Sequence, residues 1–560
     1  MNRAWAVLGA LLGLLSCTSR PASVAGSAGS IQGTVVDAAG PVALATVRIQ
    51  ATRVQALTDA RGAFRLPVDA GAGDGTVTVS AWKQGSYCAK LEGVEPGSRG
   101  LVLTLRTYQE NDNPDYAWMP PVGEVSCMSC KPEVTRTWLE NDAHARSAVN
   151  PRFLTMYLGT DTAGNRSPVT RTASSRDYGT IPLKPDPSQP WYGPGYKLDF
   201  PDTAGNCACC HVPGLAVDDP YGADPTAASG ADAHGIHCDF CHKVADVRLE
   251  AATGLPAANR PGVLSMDIRR PFTGDPDRYQ LFFGPFDDDN VPEEDTYLPL
   301  IRQSAFCAAC HRGDFWGTVI YDSYGEWLAS PWSSPSTGKT CQQCHMSVPT
   351  VVDGKAVTNV AAGKGGVERD PLDISAHDFP GAASTRLLQN AVSLEATARI
   401  DGGRLTVDVA ITNDRTGHHV PTDSPLRHLI LVVQSTGPDS AALVQVSGPV
   451  LPSWCGVGDS REGCYAGLPG TAYAKVLQER WTGVTPTGAY WNPVTVVSDN
   501  RIAAFATDAA SYVFEAPAGG SARVEVRLLF RRAYKDLMDV KGWDVPDILM
   551  ASRSLDVAVR

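Results

Sequence analysis

The sequence predicts a multidomain protein: an N-terminal β-sandwich and a C-terminal antiparallel β-sandwich flank a long central segment of short helices and irregular chain. Three observations predict it. Apolar residues alternate with period two before residue 106 and after residue 385, and show little sustained periodicity between them. The central stretch is rich in Pro, Gly and aromatic residues and carries most of the cysteines. A chain of 560 residues also exceeds what one hydrophobic core supports.

Taken in order, Arg3 and the apolar run Ala4 to Leu15 form a secretory leader too short to span a bilayer. It ends in LLSC (14 to 17), which resembles the bacterial lipoprotein box, so residues 1–17 are assigned to the signal and Cys17 to lipidation. Cleavage after SVA (23 to 25) is the alternative. Several acyl chains on Cys17 would give a stable membrane anchor, which one chain does not. Residues 18–30, small and polar, read as a flexible tether. GTVVDAAGPVALATVRIQ, LTDARGAFRLPV, GTVTVSAW and GLVLTLR then give short alternating strands within 31–106, separated by Gly, Asp and Pro turns.

The central segment, 108–384, holds CACCH (207 to 211), CDFCH (238 to 242), CAACH (307 to 311) and CQQCH (341 to 345). With 15 Cys and 11 His, chance supplies about 0.008 C-x-x-C-H motifs, so four are not accidental. The spacing is that of covalent c-type haem attachment. Two intervening residues bring both sulfurs to one edge of the porphyrin, and the next residue falls under the iron. Zinc held by CxxC pairs is the alternative, but it needs no histidine directly after each pair. CMSCK (127 to 131) completes a set of five, with Lys131 in the histidine position. The attachment cysteines are Cys127, Cys130, Cys207, Cys210, Cys238, Cys241, Cys307, Cys310, Cys341 and Cys344, and five c-type haems are expected. Flat apolar macrocycles replace side-chain core there, so the pentahaem domain needs no long regular elements. EVTRTWLEND, after Lys131, suggests one of its short helices.

From 385 to 560 the strands return. Leu405, Val407, Val409 and Ile411 alternate in RLTVDVAITN behind the turn DGG, and HLILVVQ, ARVEVRLLF and SLDVAV continue the series. Cys455 and Cys464 flank a short loop, and an oxidising compartment makes a disulfide between them the expectation. Cys88 and Cys209 are left over. A net charge of −12 argues against nucleic acid as a partner.

Two family resemblances follow. Gly33 to Phe64, with G-x-V-x-D, G-P-V, A-x-V and T-D-x-x-G-x-F, resembles the carboxypeptidase regulatory-like domain, which implies a spacer or binding module without catalytic groups. CMSCK-PEV with Trp138 and His144, GIHCDFCHKV, FCAACH, YGEWLASPW, CQQCHM, HDFPG and TNDRTGHHVPT run in an order that resembles the multihaem cytochromes related to the tetrahaem electron acceptor of hydroxylamine oxidoreductase. Lys131 replaces their usual His, and Asp423 stands where a Gly often follows the GH-x-x-PT motif. CMSCK as the first of five motifs is also similar to pentahaem cytochrome c nitrite reductase, where that haem is the reaction site.

Five irons require ten axial ligands, and the motifs supply Lys131, His211, His242, His311 and His345. By the resemblance, His144, His234, His377 and His418 are the distal candidates, the last from the C-terminal domain. His237, His419 and His428 remain, and His428 opens an apolar strand as a structural residue would. Four bis-histidine haems and one lysine-ligated haem is the simplest assignment. Three readings of Lys131 stay open. In the first, a histidine closes that haem for electron transfer, with His144 and His419 the first suspects. In the second, Lys131 serves catalysis in a reductase of a small nitrogen or sulfur oxyanion, and in the third it is a tolerated substitution. The expected protein is an exported outer-membrane lipoprotein facing periplasm or cell surface, held by lipidated Cys17. Its expected partners are redox proteins, either other cytochromes or a quinol-linked donor.

Overall fold

The computed structural model describes residues 29–68, 75–272, 280–288, 295–346 and 348–559. The leader, the expected lipidation at Cys17 and the tether up to residue 28 lie outside the described residues. Among the described residues no helix is long and apolar enough to cross a membrane. The chain divides into two compact units, one comprising residues up to 81 with 90–104, the other 82–89 with 105 onward.

In the first unit the strand Ser30–Asp37 pairs antiparallel with Ala63–Pro67 and parallel with Leu101–Thr104. The alternation works as the sequence implies, burying Ile31, Val35, Phe64 and Leu66 on one side. Gly33 is required here: a Cβ would lie 2.5 Å from Leu101 O and 2.8 Å from the Phe64 ring. The expected 31–106 module is interrupted, because residues 82–89 belong to the second unit. There Tyr87 packs with Leu281, Phe283 and Leu298, and its hydroxyl donates to Gln280 O at 3.1 Å.

The second unit begins as short pieces. The longest helix among the described residues of the motif segment, Pro132–Asn141, starts on a proline and buries Val134 and Trp138 one turn apart. After residue 392 two four-stranded sheets take over. One runs Ser393–Asp401, Arg404–Thr412, Thr507–Glu515, Gln445–Ser447; the other runs Gly470–Tyr473, His428–Thr436, Ser521–Arg531, Ile548–Ala558. Leu405, Val407, Val409 and Ile411 share one buried core with Leu429, Leu431, Val524 and Val526 of the other sheet. Gly402 (φ 54°) and Gly403 (φ 76°) close the first hairpin between Asp401 and Arg404, a turn that needs positive φ at both positions. His428–Thr436 is apolar on both faces, because Ile430 and Val432 pack outward against Leu451, Cys455 and Tyr465.

The expected boundary at 384/385 does not separate two units. Lys541 Nζ donates to Thr155 O, Thr160 O and Pro194 O at 2.9, 2.9 and 2.7 Å, and Trp543 Nε1 donates to Thr155 Oγ1 at 3.0 Å. Arg501 and Glu326 add a buried ion pair at 2.7 Å. The expected Cys455–Cys464 disulfide is not formed, and both are free buried thiols. Chain spacing brought the two residues near, but Cys464 Sγ lies against Gly458, where a Cβ would stand 3.2 Å away.

Candidate haem-binding site

Each motif folds as about one helical turn, which puts cysteines three residues apart on one face. Capping is local and legible. Ser126 caps Cys127–Cys130 and Thr340 caps Cys341–His345, each with a reciprocal bond from the third helical residue. His237 accepts the Phe240 N–H at 3.1 Å and so caps Cys238–Cys241. That bond, together with Asp232 at 3.3 Å, makes His237 a structural residue.

Three motif histidines meet partners from distant chain. His144 and His311 have ring centres 6.2 Å apart, His242 and His377 6.4 Å, and His345 and His418 6.3 Å. A metal–imidazole bond of about 2 Å on each side, with each ring centre roughly 1 Å beyond its nitrogen, puts two trans ligands roughly 6 Å apart. The three separations therefore fit one iron between each pair. In two pairs the motif histidine has its Nδ1 on a backbone carbonyl: His242 on Phe283 O at 2.6 Å and His345 on Pro380 O at 2.8 Å. This leaves Nε2 for the metal. Burial lowers His242 to about 3, keeping it in the neutral form a metal requires. Burial also opposes charge on His311, but Asp423 overrides it and raises that imidazole to about 9.

A cavity of about 1320 Å³ runs between these pairs. Lys131 and the cysteines of the first, third, fourth and fifth motifs line it. Neighbouring motifs lie side by side: the thiols of Cys238 and Cys127, of Cys210 and Cys310, and of Cys307 and Cys341 are close enough to perturb one another. Among the described residues no group of three or more His, Cys, Asp or Glu side chains could hold a bare metal ion. The donor set, four cysteine pairs each followed directly by a histidine, suits flat metal–macrocycle groups.

The remaining candidates stand elsewhere. His211 stacks on Phe153 with ring centres 3.8 Å apart, and Cys207 and Cys210 are not in the cavity wall. Gly262 lies against this motif, where a Cβ would stand 2.0 Å from Cys209 O. The spare Cys209 is itself buried, its thiol donating to Pro220 O at 3.1 Å. His234 meets Trp138 at 5.9 Å and no motif histidine among the described residues. Neither suspect for Lys131 faces it: His144 is turned to His311, and His419 is tied to Glu326 at 3.3 Å. Lys131 Nζ lies 3.2 Å from Asp295 Oδ2 and 4.9 Å from the centre of the Phe282 ring. His428 stacks on Tyr534 in the core, as its place in the strand implies. Sequence reasoning missed Asp142, Phe153, Phe282 and Asp295 at the site. Asp142, two residues before His144, offered the only local signal.

No family model and no curated protein matches this chain. Among solved structures, a pentahaem cytochrome c552 from Thermochromatium tepidum is similar at 19% identity and a TM-score of 0.50, over 77% of this chain and 97% of that one. The likeness is one of fold, and the haem reading rests on this chain's own five attachment-spaced motifs. A type II cohesin–X-dockerin complex from Acetivibrio cellulolyticus matches 14% of this chain and 58% of that one at 20% identity. A PapD-like domain of human CEP192 matches 30% and 86% at 7% identity. Both have TM-scores of 0.13 and carry no argument.

Proposed function

We propose that the protein is an exported, lipid-anchored cytochrome that carries electrons through five covalently bound haems. The observation that carries this reading is the set of three histidine pairs with ring centres 6.2 to 6.4 Å apart, each of which would hold a haem iron between its two imidazoles and so favour electron transfer over substrate binding there. When bound, each haem supplies a reversible one-electron iron couple, at low potential under bis-histidine ligation. Burial favours the neutral imidazole at His242, His345, His377 and His418, backbone carbonyls fix these four through Nδ1, and the C-terminal sandwich contributes His418. The N-terminal strands serve as a regulatory-like spacer between that body and the Cys17 anchor. Partners are other redox proteins or a quinol-linked donor, and the location is the outer membrane, facing periplasm or cell surface.

A second reading keeps one supporting observation. Lys131 lies in the cavity wall beside Phe282 and Asp295, where a small nitrogen or sulfur oxyanion entering the cavity could be reduced at a haem that it holds. The two readings separate in one experiment on the reduced, dithionite-free protein. Nitrite, hydroxylamine or sulfite is added and the haem bands are followed. The carrier reading expects no turnover; rapid reoxidation that Lys131→Ala abolishes, with four haems intact, replaces it with the reductase.

A further inference from the structure

Where an imidazole binds a metal through one nitrogen, the neighbour of the other nitrogen sets how strongly it donates. In the His242/His377 pair both neighbours are neutral carbonyls, Phe283 O at 2.6 Å and Ser375 O at 3.2 Å. The His345/His418 pair repeats this with Pro380 O at 2.8 Å and His419 O at 2.9 Å. The His144/His311 pair differs on both sides. Asp142 Oδ2 lies 3.1 Å from His144 Nδ1, and Asp423 Oδ2 lies 3.6 Å from His311 Nδ1. The first is a hydrogen bond, the second a close charge contact.

Both carboxylates are fixed in place. Asp142 is 2% exposed, and its Oδ1 accepts the His144 N–H at 3.0 Å. Asp423 sits at φ 65°, a conformation that glycine adopts freely and an aspartate seldom does. The carboxylate is held there despite its backbone preference. Arg427 stands 3.5 Å from Asp423 Oδ2 and offsets part of its charge, but nothing comparable faces Asp142 among its described partners.

Resting on the haem reading of this pair, we propose that Asp142 and Asp423 are positioning residues that hold the His144/His311 haem at a lower reduction potential than the haems of the other two histidine pairs. Negative charge beside each Nδ1 gives the ligand imidazolate character and favours ferric iron, which carries one positive charge more than ferrous. The motif concerned also meets two others, through Cys310 at Cys210 and Cys307 at Cys341. An electron would therefore cross this junction without resting on it.

The test is a spectroelectrochemical titration of the full haem-loaded chain, with low-spin ferric EPR spectra recorded at poised potentials. The His144 and His311 rings are 87° apart, against 32° and 22° in the other pairs. Perpendicular and near-parallel imidazoles give different low-spin spectra, so this haem can be followed by itself. Its signal is expected to vanish last of the three on reduction. In Asp142→Asn and Asp423→Asn its midpoint moves positive by about tenfold in the equilibrium constant, 59 mV for one electron, and moves further than those of the other two pairs, where Asp142 acts on His377 and Asp423 on His418 from a greater distance than the carbonyls at their Nδ1. Asp423→Gly removes the charge at a φ that suits glycine, and so guards against a misfolded asparagine variant. Asp423→Glu keeps the wild-type midpoint. A perpendicular-type signal that is not the last to vanish overturns the proposal. So does an unmoved midpoint in Asp142→Asn and Asp423→Gly proteins of full haem content. Failure of the underlying haem reading shows separately, as fewer than five covalently bound haems by mass spectrometry.

Discussion

Between residues 393 and 558 the core is built by strand side chains, with Leu405, Val407, Leu429, Leu431 and Val526 fully buried between two sheets. Between residues 127 and 345 the helices are short, and histidines and cysteines from four motifs face a cavity of about 1320 Å³. The first region buries apolar surface with its own chain. The second is shaped to bury it with a cofactor. Lys541 and Arg501 cross from the first to the second, so the two regions form one compact unit.

The largest effect is expected where the cofactor is the core. Cys307→Ser with Cys310→Ser removes one attachment site at the motif that touches two others. One haem fewer is expected by mass spectrometry, with a collapse of the thermal midpoint and first proteolytic cuts between residues 108 and 384. A midpoint equal to that of the wild type would break the comparison, because the region would then hold together on side chains alone.

A core substitution in the strand region should behave differently. Leu431→Ala deletes a fully buried side chain and is expected to cost about 3 kcal/mol, without changing the haem count or the visible spectrum. Loss of haem in this variant, measured as a lower ratio of haem to protein absorbance, would mean that the sheets fold only together with the motif segment.

The smallest effect sharpens the link between the regions. Lys541→Met leaves the carbonyls of Thr155, Thr160 and Pro194 without their shared donor and is expected to cost about 2 kcal/mol. Protection of the Thr155–Thr160 amides should fall by hydrogen exchange, while those of Arg404–Thr412 stay protected.

The sequence by itself determined whatever depends on neighbours along the chain. The attachment spacing is local, since residues three and four apart share one face of a turn. The strand Arg404–Thr412 is local too, because alternation alone decides which side chains point inward. The residues Asp401 to Arg404 named their own turn through two glycines. Only the tertiary structure decided which distal histidine meets which motif, because His311 and His144 are far apart in sequence and no spacing rule joins them. It also turned His144 away from Lys131, left Cys455 and Cys464 as separate thiols, and drew residues 82–89 out of the N-terminal module through Tyr87. The charge around each ligand belongs to the same class. Asp423 could be read in the sequence as an unusual residue, but its effect on His311 exists only because a loop of the C-terminal region folds back to within 3.6 Å of a motif a hundred residues earlier.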